Sequence, residues 1–409
     1  MTKVLFVGGA YGKTMSTNGL CLRAVARVLR DRGCEVHFLA ETEHDEPREQ
    51  VIDGCHVHRV PATLFNRVRH FSMRHSNDVA GRLAYLLQRL LGVRTLFLLP
   101  WYPLRDPLQC RAYARTAAAL HREFDFDLAV CAFSPLPSLF AGERLKARHA
   151  VPIVSYFLDT LTDRQSTHHF LSPKFINGQG FKYEKRFFSN SDLILNLRCH
   201  EPHFTSSRYD VYRSKLAIVD IPFLENRLSP QVDSRAAAGS TRAVYTGGIR
   251  ISHMLAALDI LSRIEHVSVH VYSSNSIVLP SRPFLVKHGQ VTHQAALAAQ
   301  ATSDVLLSTG SNLPSFLPSK VIEYISTGKP VIHFYDNEDD VALVYFRTYG
   351  NSCLINVKDD PEESARRIEA FLARRPAPCD WNHLQQLFPM NRPAYTAELI
   401  LNKLGVELE

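Results

Sequence analysis

The sequence predicts an α/β protein with two domains, each built around a parallel β-sheet. The chain has 409 residues, more than one ordinary hydrophobic core serves, so two domains are expected. Short apolar, β-rich segments alternate with helical patterns in both halves, and such units build parallel sheets. A polar stretch with linker composition, residues 225–241, separates the two series.

The first half opens with a strand–helix–strand unit. Residues 3–7 form an apolar strand ending in Gly8-Gly9, a helical pattern stops at Gly33, and a second strand follows at 35–39. Further strands are predicted at 128–133, 153–157, 193–197, 243–245, 267–272, 304–307 and 331–334. We therefore expect a first domain at 1–228, a second at 229–380, and a helical segment at 381–409 that can pack back on the first domain.

Composition narrows the class of protein. Hydrophobic residues make up 45% and charged residues 21% of the chain, which excludes a disordered chain. The formal net charge of +7 favours anionic partners: nucleotide diphosphates, phospholipid headgroups or nucleic acid. The eight cysteines include no Cys-x-x-Cys pair, which favours a reducing compartment. The nineteen histidines show no metalloprotease or Cys/His zinc spacing, so no metal site is predicted.

No segment is predicted to cross a membrane. The N-terminal apolar run is too short for a signal peptide. The most apolar stretch, residues 83–104, is interrupted by Gln88, Arg89 and Arg94. We expect a cytoplasmic protein that can lie peripherally on the cytoplasmic face of the membrane.

The glycines after the first strand have two interpretations. Gly8-Gly9-Ala10-Tyr11-Gly12-Lys13-Thr14 resembles a P-loop, but it is one residue shorter than a Walker A motif. Otherwise the glycines simply turn the chain after the strand, although they stand at its carboxyl end, where open parallel sheets bind ligands. We favour the second interpretation.

Residues 304–334 are the most informative part of the sequence, because they predict a strand, a polar loop and a helix in succession. A strand leads into a polar loop containing Ser311 and Ser315, and Pro318-Ser319-Lys320 then opens a helix. Unpaired N–H groups at the start of that helix, with Lys320, would suit an anionic phosphate. Glu323 can accept hydrogen bonds from sugar hydroxyls, or can be an ordinary first-turn acid.

The helix and its flanks resemble a known family. Leu317-Pro-Ser-Lys-Val-Ile-Glu-Tyr-Ile-Ser-Thr-Gly-Lys-Pro-Val-Ile is similar to the donor-binding signature of GT-B-fold, family 4-like retaining glycosyltransferases of polysaccharide and glycolipid biosynthesis. The resemblance implies two Rossmann-like domains facing each other across a cleft, the first for acceptor and the second for nucleotide sugar. It implies that Glu323 binds the nucleotide ribose and that Ser319 and Lys320 face the diphosphate.

Two further stretches resemble the same family. Val244-Tyr-Thr-Gly-Gly, ending in Gly247 and Gly248, is similar to its first strand and glycine loop in the second domain. Residues 289–307 resemble its approach to the donor site, where the backbone around residues 288–291, which include Gly289, would hold the base.

The sequence departs from that family at three places. Ser315 stands where a glutamate often contacts the donor sugar. Gly248 stands where an arginine is common, with Arg250 nearby. Phe133-Ser134-Pro135 stands where many members carry a histidine.

The resemblance implies front-face attack by the acceptor hydroxyl, with no side-chain base. Lys320 and Arg250 would stabilise the leaving diphosphate without a metal or other cofactor. Asp159 can orient the acceptor or cap a turn. The expected catalytic residues are Lys320, Arg250 and Asp159, and the expected donor-binding residues are Gly8, Gly9, Gly247, Gly248, Gly289, Ser311, Ser315, Ser319, Lys320 and Glu323.

A basic, apolar stretch follows the predicted second strand. Periodicity places Val79, Leu83, Leu86 and Leu90 on one helix face. Such a helix can lie on an anionic membrane, or can face the core with a solvated edge. The whole basic stretch, residues 67–94, contains six arginines: Arg67, Arg69, Arg74, Arg82, Arg89 and Arg94.

The expected function is transfer of a sugar from a nucleotide sugar to a glycan or lipid-linked acceptor in surface polysaccharide or glycolipid biosynthesis, with no nucleic-acid partner. Two alternatives remain open. One is a nucleotide-sugar epimerase or hydrolase of the same fold, which Ser315 favours. The other is a catalytically silent partner subunit.

Overall fold

The computed structural model describes residues 1–12, 16–42, 46–75, 78–162, 171–227, 240–273, 278–311, 315–374 and 376–405, without the side chains of residues 73–74 and 94–96. The chain divides into two compact units. The first comprises Met1–Pro222 and Pro393–Glu409, and the second comprises Phe223–Arg392.

Each unit is built on one sheet. In the first unit the strand order is β3-β4-β2-β1-β5-β6-β7-β8, and in the second it is β11-β10-β9-β12-β13-β14. Neighbouring strands are parallel except β3 and β4, which are antiparallel. The strands are β1 (Lys3–Val7), β2 (Glu35–Glu41), β3 (Glu49–Ile52), β4 (Cys55–Val60), β5 (Leu128–Ala132), β6 (Ile153–Phe157), β7 (Leu193–Leu197), β8 (Leu216–Val219), β9 (Thr241–Thr246), β10 (Val267–Tyr272), β11 (Leu285–Lys287), β12 (Val305–Thr309), β13 (Val331–Tyr335) and β14 (Ser352–Asn356).

Helices follow most strands. They are α1 (Thr17–Asp31), α2 (Leu64–Arg74), α3 (Val79–Phe97), α4 (Pro107–Phe124), α5 (Pro137–His149), α6 (Pro173–Asn190), α7 (Glu201–Phe204), α8 (Ile251–Leu261), α9 (His293–Ala301), α10 (Ser319–Ile325), α11 (Val341–Tyr349), α12 (Pro361–Ala373), α13 (Trp381–Leu387) and α14 (Pro393–Leu404). Short 3₁₀ turns lie at Leu99–Trp101, Arg198–His200, Ser207–Lys215 and Pro389–Asn391.

The strand order explains where a ligand can bind. Numbered within its own unit, the second sheet runs 3-2-1-4-5-6, the order of dinucleotide-binding folds. The first sheet has the same order once the hairpin strand β3 is set aside, with one strand added at the far edge. The order reverses between β1 and β5 and between β9 and β12. Open sheets of this kind bind ligands outside the carboxyl ends of those strands.

The central strands are apolar because helices cover both faces of the sheet. Every residue of β5, β6 and β7 is buried, and so is every residue of β13. Helix starts are fixed by local side chains: the Ser16 hydroxyl accepts from Gly19 N at 3.2 Å, and Asp340 accepts from Ala342 N at 2.9 Å. These contacts fix the residues at which α1 and α11 begin.

The two-domain α/β architecture expected from the sequence is confirmed, and its boundaries lie elsewhere than expected. The expected boundary at residue 228 falls outside the described residues. The chain instead divides before Phe223, whose carbonyl accepts from the Ser326 hydroxyl at 2.9 Å, while Leu224 N donates to Asn391 O at 2.9 Å. These contacts attach residues 223–227 to the second unit.

The C-terminal segment is shared between the units. Helix α13 belongs to the second unit, and only α14 belongs to the first. Helix α14 packs against α1 and β7, and Arg32 pairs with Glu398. Among the described helices, none is long and apolar enough to span a bilayer.

Candidate functional site

A pocket of about 560 Å³ lies at the carboxyl edge of the second sheet. Residues 245–250, at the end of β9, form one wall, and residues 308–311, at the end of β12, form another. Phe316, Pro318, Lys320 and Tyr324 complete the lining. Since β9 and β12 are the strands between which the order reverses, the pocket occupies the expected ligand position.

Gly247, in the loop after β9, has a backbone conformation that favours glycine. Its φ is +124°, in a region that side chains rarely adopt. A Cβ at Gly247 would lie 3.7 Å from both Cγ and Cε of Lys320. Gly247 N donates to Tyr272 O at 3.0 Å, which fixes the loop. Gly248, by contrast, faces open space and has ordinary backbone geometry.

Glu323 is a buried carboxylate surrounded by donors. It is 3% exposed. Its Oε1 atom accepts from the ammonium group of Lys320 and from Gln300 Nε2 at 2.6 Å. Its Oε2 atom lies 3.4 Å from Nη1 of Arg227. The structure therefore does not support an ordinary, solvated first-turn acid at this position.

The carboxylate of Glu323 stays ionised. Burial by itself would raise its pKa, but the charge of Lys320 and the hydrogen bonds from Gln300 and Lys320 outweigh burial. Arg227 acts in the same direction, and the net pKa lies below the ordinary value. A permanently charged acceptor beside a lysine is thus present at neutral pH.

A polar network fixes these groups against β9. Gln300 Nε2 also donates to Thr246 Oγ1 at 2.9 Å. The Tyr324 hydroxyl accepts from Thr246 N at 2.9 Å and lies 3.1 Å from Thr246 O. The sequence did not predict Gln300 or Arg227 as part of the site. The one signal for Gln300 was its polar side chain within the alanine-rich run of residues 295–301.

Arg250 lines the pocket but already has an acidic partner. Its Nη2 atom donates to Asp336 Oδ2 at 3.1 Å, and His253 Nε2 lies 3.0 Å from the same oxygen. Burial would raise the pKa of Asp336, but the His253 hydrogen bond and the charges of His253 and Arg250 lower it. The positive charge of Arg250 is therefore shared with Asp336 rather than free for a ligand.

The loop after β12 is held by a buried acid. Asp340 is 4% exposed, and its Oδ2 atom accepts from Ser311 N at 3.3 Å. The same oxygen lies 3.3 Å from Nε2 of the fully buried His333, whose Nδ1 contacts the Ser308 hydroxyl at 3.0 Å. This chain of contacts positions Ser311 in the pocket wall.

Four expected donor-binding residues of the second unit are not among the residues that line the pocket, and Glu323 is one of them. Ser315 is exposed, Ser319 is the first residue of α10, and Gly289 follows β11 with a φ of +72°. Beside Gly289, the His288 ring stacks on Tyr272, with centroids 4.1 Å apart and planes within 2°. The structure thus groups Gly247, Gly248, Arg250, Ser311 and Lys320 around the pocket, with Glu323 bonded to Lys320.

Gly8, Gly9 and Asp159 belong to the first unit. Gly8 is tightly packed: a Cβ would meet Leu22 Cδ1 at 2.6 Å, and its carbonyl accepts from the Tyr113 hydroxyl at 2.9 Å. Asp159 follows β6. Burial, then the charges of Asp220 and Asp159, raise the pKa of the Cys21 thiol. Lys13 and Thr14 of the P-loop interpretation lie outside the described residues.

A buried acid also holds the loop after β6. Glu184 is fully buried on α6 and accepts from Leu161 N at 2.8 Å and Thr162 N at 3.2 Å. The hydroxyl of Tyr209 donates to the same carboxylate. Glu184 therefore holds the backbone two and three residues after Asp159 in place.

Helix α3, within the arginine-rich stretch of residues 67–94, turns apolar side chains to solvent. Leu83 is 61% and Leu90 69% exposed, and Val79 and Leu86 are also exposed. The core-facing alternative is therefore wrong for this face of α3, because these side chains are exposed rather than buried in a core. Arg67, Arg69, Arg82 and Arg89 are exposed too, while the side chains of Arg74 and Arg94 lie outside the described part.

No protein-family model and no curated protein matches the sequence. Solved structures match over nearly the whole chain. HepE of Anabaena, in complex with UDP and glucose, shares 13% identity over 100% of both chains with a TM-score of 0.60. The catalytic domain of starch synthase IV from Arabidopsis thaliana, bound to ADP and acarbose, shares 10% identity over 99% of this chain and 98% of that one, with a TM-score of 0.56.

A putative UDP-N-acetylglucosamine 2-epimerase from Listeria monocytogenes shares 9% identity over 98% of this chain and 95% of that one, with a TM-score of 0.53. At such identities the likeness concerns the fold. Together with the two doubly wound sheets, these matches show that the protein has the GT-B fold, an α/β architecture of two Rossmann-like domains.

Proposed function

We propose that this protein is a glycosyltransferase that binds a nucleotide-sugar donor at the pocket of its second unit. The observation that carries the proposal is the pairing of Lys320 with the buried, ionised Glu323 beside that pocket. A nucleoside diphosphate offers each of them a complementary group, phosphate oxygens for the ammonium and ribose hydroxyls for the carboxylate.

The chemistry follows from the charge that develops during transfer. Breaking the bond between the anomeric carbon and the phosphate oxygen leaves a nucleoside diphosphate with added negative charge. Lys320 stabilises that charge in place, and Arg250 does so to the extent that Asp336 releases it. The acceptor hydroxyl attacks the anomeric carbon and its proton passes to the departing phosphate oxygen. The resemblance to retaining enzymes supports attack from the same face, and no metal is required.

The relatives in fold support this choice of ligand. One was solved with UDP and glucose and another with ADP and acarbose. The donor signature around residues 317–332 supports a place in polysaccharide or glycolipid assembly. Helix α10 has only seven residues, so we assign the diphosphate to the charge of Lys320 rather than to a helix dipole.

The acceptor domain is proposed to work at a membrane surface. Helix α3 exposes a row of apolar side chains, and Arg82 and Arg89 lie exposed along it. An anionic bilayer can bind both kinds of side chain. The apolar side chains insert between its headgroups, and its negative charge attracts the guanidinium groups. A lipid-linked acceptor would be found at such a surface.

A panel of nucleotide sugars tests the proposal. One of them should raise the melting temperature, and EDTA should leave that shift unchanged because no metal takes part in binding. Lys320→Ala should abolish the shift, whereas Lys403→Ala, an exposed lysine on α14, should keep it. Loss of the shift in EDTA would contradict the metal-free site, and an equal shift in Lys320→Ala would contradict the role of Lys320.

A second candidate is epimerisation or hydrolysis of a nucleotide sugar. The fold match to a putative epimerase and the presence of Ser315 in place of a glutamate favour it. Incubation without acceptor separates the two functions: a transferase leaves the nucleotide sugar largely intact, while an epimerase or hydrolase converts it. A catalytically silent subunit would bind no nucleotide sugar in the panel.

A further inference from the structure

Three imidazoles and two carboxylates meet on one face of the first sheet, at its edge. His37 of β2 pairs in register with His56 of β4, so their side chains are neighbours. Glu35 and His58 lie two residues away along the same strands, and therefore on the same face. Glu49 of β3 is the register partner of His58. The site occupies the amino ends of the strands, away from the ligand-binding carboxyl edge.

The side chains form a connected chain of close contacts. Glu35 Oε1 lies 2.8 Å from His37 Nε2, and His37 Nδ1 lies 3.0 Å from His58 Nε2. The rings of His37 and His56 stack, with centroids 4.8 Å apart. One ligand atom from each of Glu35, His37 and His56 lies within 4.8 Å of the other two. Two imidazoles and a carboxylate form a donor set that Zn²⁺ prefers.

The hydrogen bonds of this chain leave one buried nitrogen without a partner. If His37 donates through Nε2 to Glu35, its Nδ1 must accept from His58 Nε2–H. Nδ1 of the neutral His58 then carries a lone pair. That atom has no hydrogen-bond partner among the described residues, and Glu49 Oε1 stands 3.6 Å away. His58 is only 7% exposed, so water does not readily compensate.

A metal on His37 removes this conflict. With Nε2 of His37 bound to the ion, the proton moves to Nδ1 and is donated to His58 Nε2. His58 then carries its proton on Nδ1 and directs it at the carboxylate of Glu49. Every nitrogen of the two buried rings gains a partner, and the second imidazole and the glutamate become the outer support of the ligand.

We propose that Glu35, His37 and His56 bind a divalent cation of the Zn²⁺ class, with His58 and Glu49 as positioning residues. The ion ties β2 to β4 at the sheet edge and leaves a coordination position open to solvent beside the exposed His56. The site has neither the helical His spacing nor the Cys/His spacing of common zinc motifs, so the sequence did not predict it. These ligands follow the two-residue period of strands, in Glu-x-His and His-x-His.

Metal binding is measured on the untagged full-length chain after removal of metal with EDTA and dialysis. Titration with Zn²⁺ should show one tight site per chain and a rise in melting temperature, while Mg²⁺ and Ca²⁺ produce neither. Substitution with Co²⁺ should give visible d–d bands without a thiolate charge-transfer band. A thiolate band, or equal stabilisation by Mg²⁺, would overturn the assignment.

Variants locate the ion. His56→Ala and Glu35→Gln should weaken the tight site by at least about 100-fold, while His383→Ala, an exposed histidine on α13, leaves it unchanged. Glu49→Ala should weaken it about 10–100-fold, and Glu49→Gln, which keeps an acceptor oxygen, should restore most of the affinity. Since His56 and Glu49 are exposed, these changes should leave folding intact. Unchanged affinity in His56→Ala would overturn the proposal.

Discussion

The ammonium group of Lys320 donates a hydrogen bond to Oε1 of Glu323, three residues further along helix α10. The two opposite charges thereby pair with each other beside the pocket. That pocket lies where the strand order of the second sheet reverses. Under the proposed function a nucleotide replaces this internal pairing with external partners. The pair keeps the buried carboxylate ionised until the ligand arrives.

The two adjacent glycines of the pocket should respond differently to alanine. Gly247→Ala should lower the free energy of unfolding by about 1–3 kcal/mol, because a φ of +124° strains a residue with a Cβ. Gly248→Ala should change it by less than about 1 kcal/mol, since the added methyl meets nothing within 4 Å. Urea unfolding of both variants checks this. Equal losses would show that the backbone at Gly247 is not what requires glycine.

Glu323 should stabilise the protein with a defined pH dependence. The pKa of Glu323 in the folded protein lies below its ordinary value of 4.5. Its ionised carboxylate therefore stabilises the native state above about pH 4.5, and this stabilisation is lost as the pH falls through the folded pKa. The difference in unfolding free energy between wild type and Glu323→Gln should therefore stay constant from about pH 7 to 5 and shrink below about 4.5.

Denaturant titrations at several pH values measure that difference. Glu369→Gln, an exposed acid on α12, serves as the control and should show little difference at any pH. A difference that already shrinks between about pH 7 and 5 would mean that burial, not Lys320, dominates the pKa of Glu323.

Vesicle sedimentation tests the membrane surface. Wild-type protein should sediment with vesicles that contain anionic lipid, bind neutral vesicles poorly, and be released by salt, because exposed charges are screened within about 10 Å at 0.1 M ionic strength. Changing Arg82 and Arg89 together to Glu should abolish sedimentation, at roughly 1 kcal/mol for each basic residue lost. Leu83→Ser with Leu86→Ser should weaken it as well, since both side chains are exposed.

A control variant with the same change in net charge distinguishes binding through α3 from a general effect of protein charge. Arg366→Glu with Arg374→Glu replaces two exposed arginines of the second unit, and it changes the net charge by the same amount as the Arg82/Arg89 variant. That control should still sediment, and nucleotide binding should persist in every variant. Equal sedimentation of wild type and the Arg82/Arg89 variant would contradict membrane docking through α3.

The apolar strands were predictable because burial on both sheet faces leaves a continuous hydrophobic run. The expected strands at 153–157, 193–197 and 267–272 coincide with the observed ones. The edge strand β3 and its neighbour β4 were not predicted, because polar residues such as Glu49, His56 and His58 interrupt their apolar pattern. Pairing across a sheet edge depends on partners distant in sequence, which local periodicity does not reveal.

The pocket could be predicted only in part. The glycine loop and the Lys320–Glu323 spacing are local patterns, and the structure brings them together. The bond between Gln300 and Glu323 joins helices α9 and α10, and the Arg250–Asp336 pair spans 86 residues. Neither pair has a local signature. Exposure of the apolar face of α3 was equally undetermined, because an amphipathic period does not say what covers the apolar side.

The most direct test of the donor site is whether Glu323 recognises the ribose. Calorimetry compares the nucleoside diphosphate that stabilises the protein best with its 2′,3′-dideoxy form, in wild type, Glu323→Ala and the control Glu369→Ala. Wild type and the control should prefer the ribose form by about 1.5–3 kcal/mol, or about 10–150-fold, and Glu323→Ala should bind both forms equally. A preference that survives unchanged in Glu323→Ala would contradict the donor site proposed for this pocket.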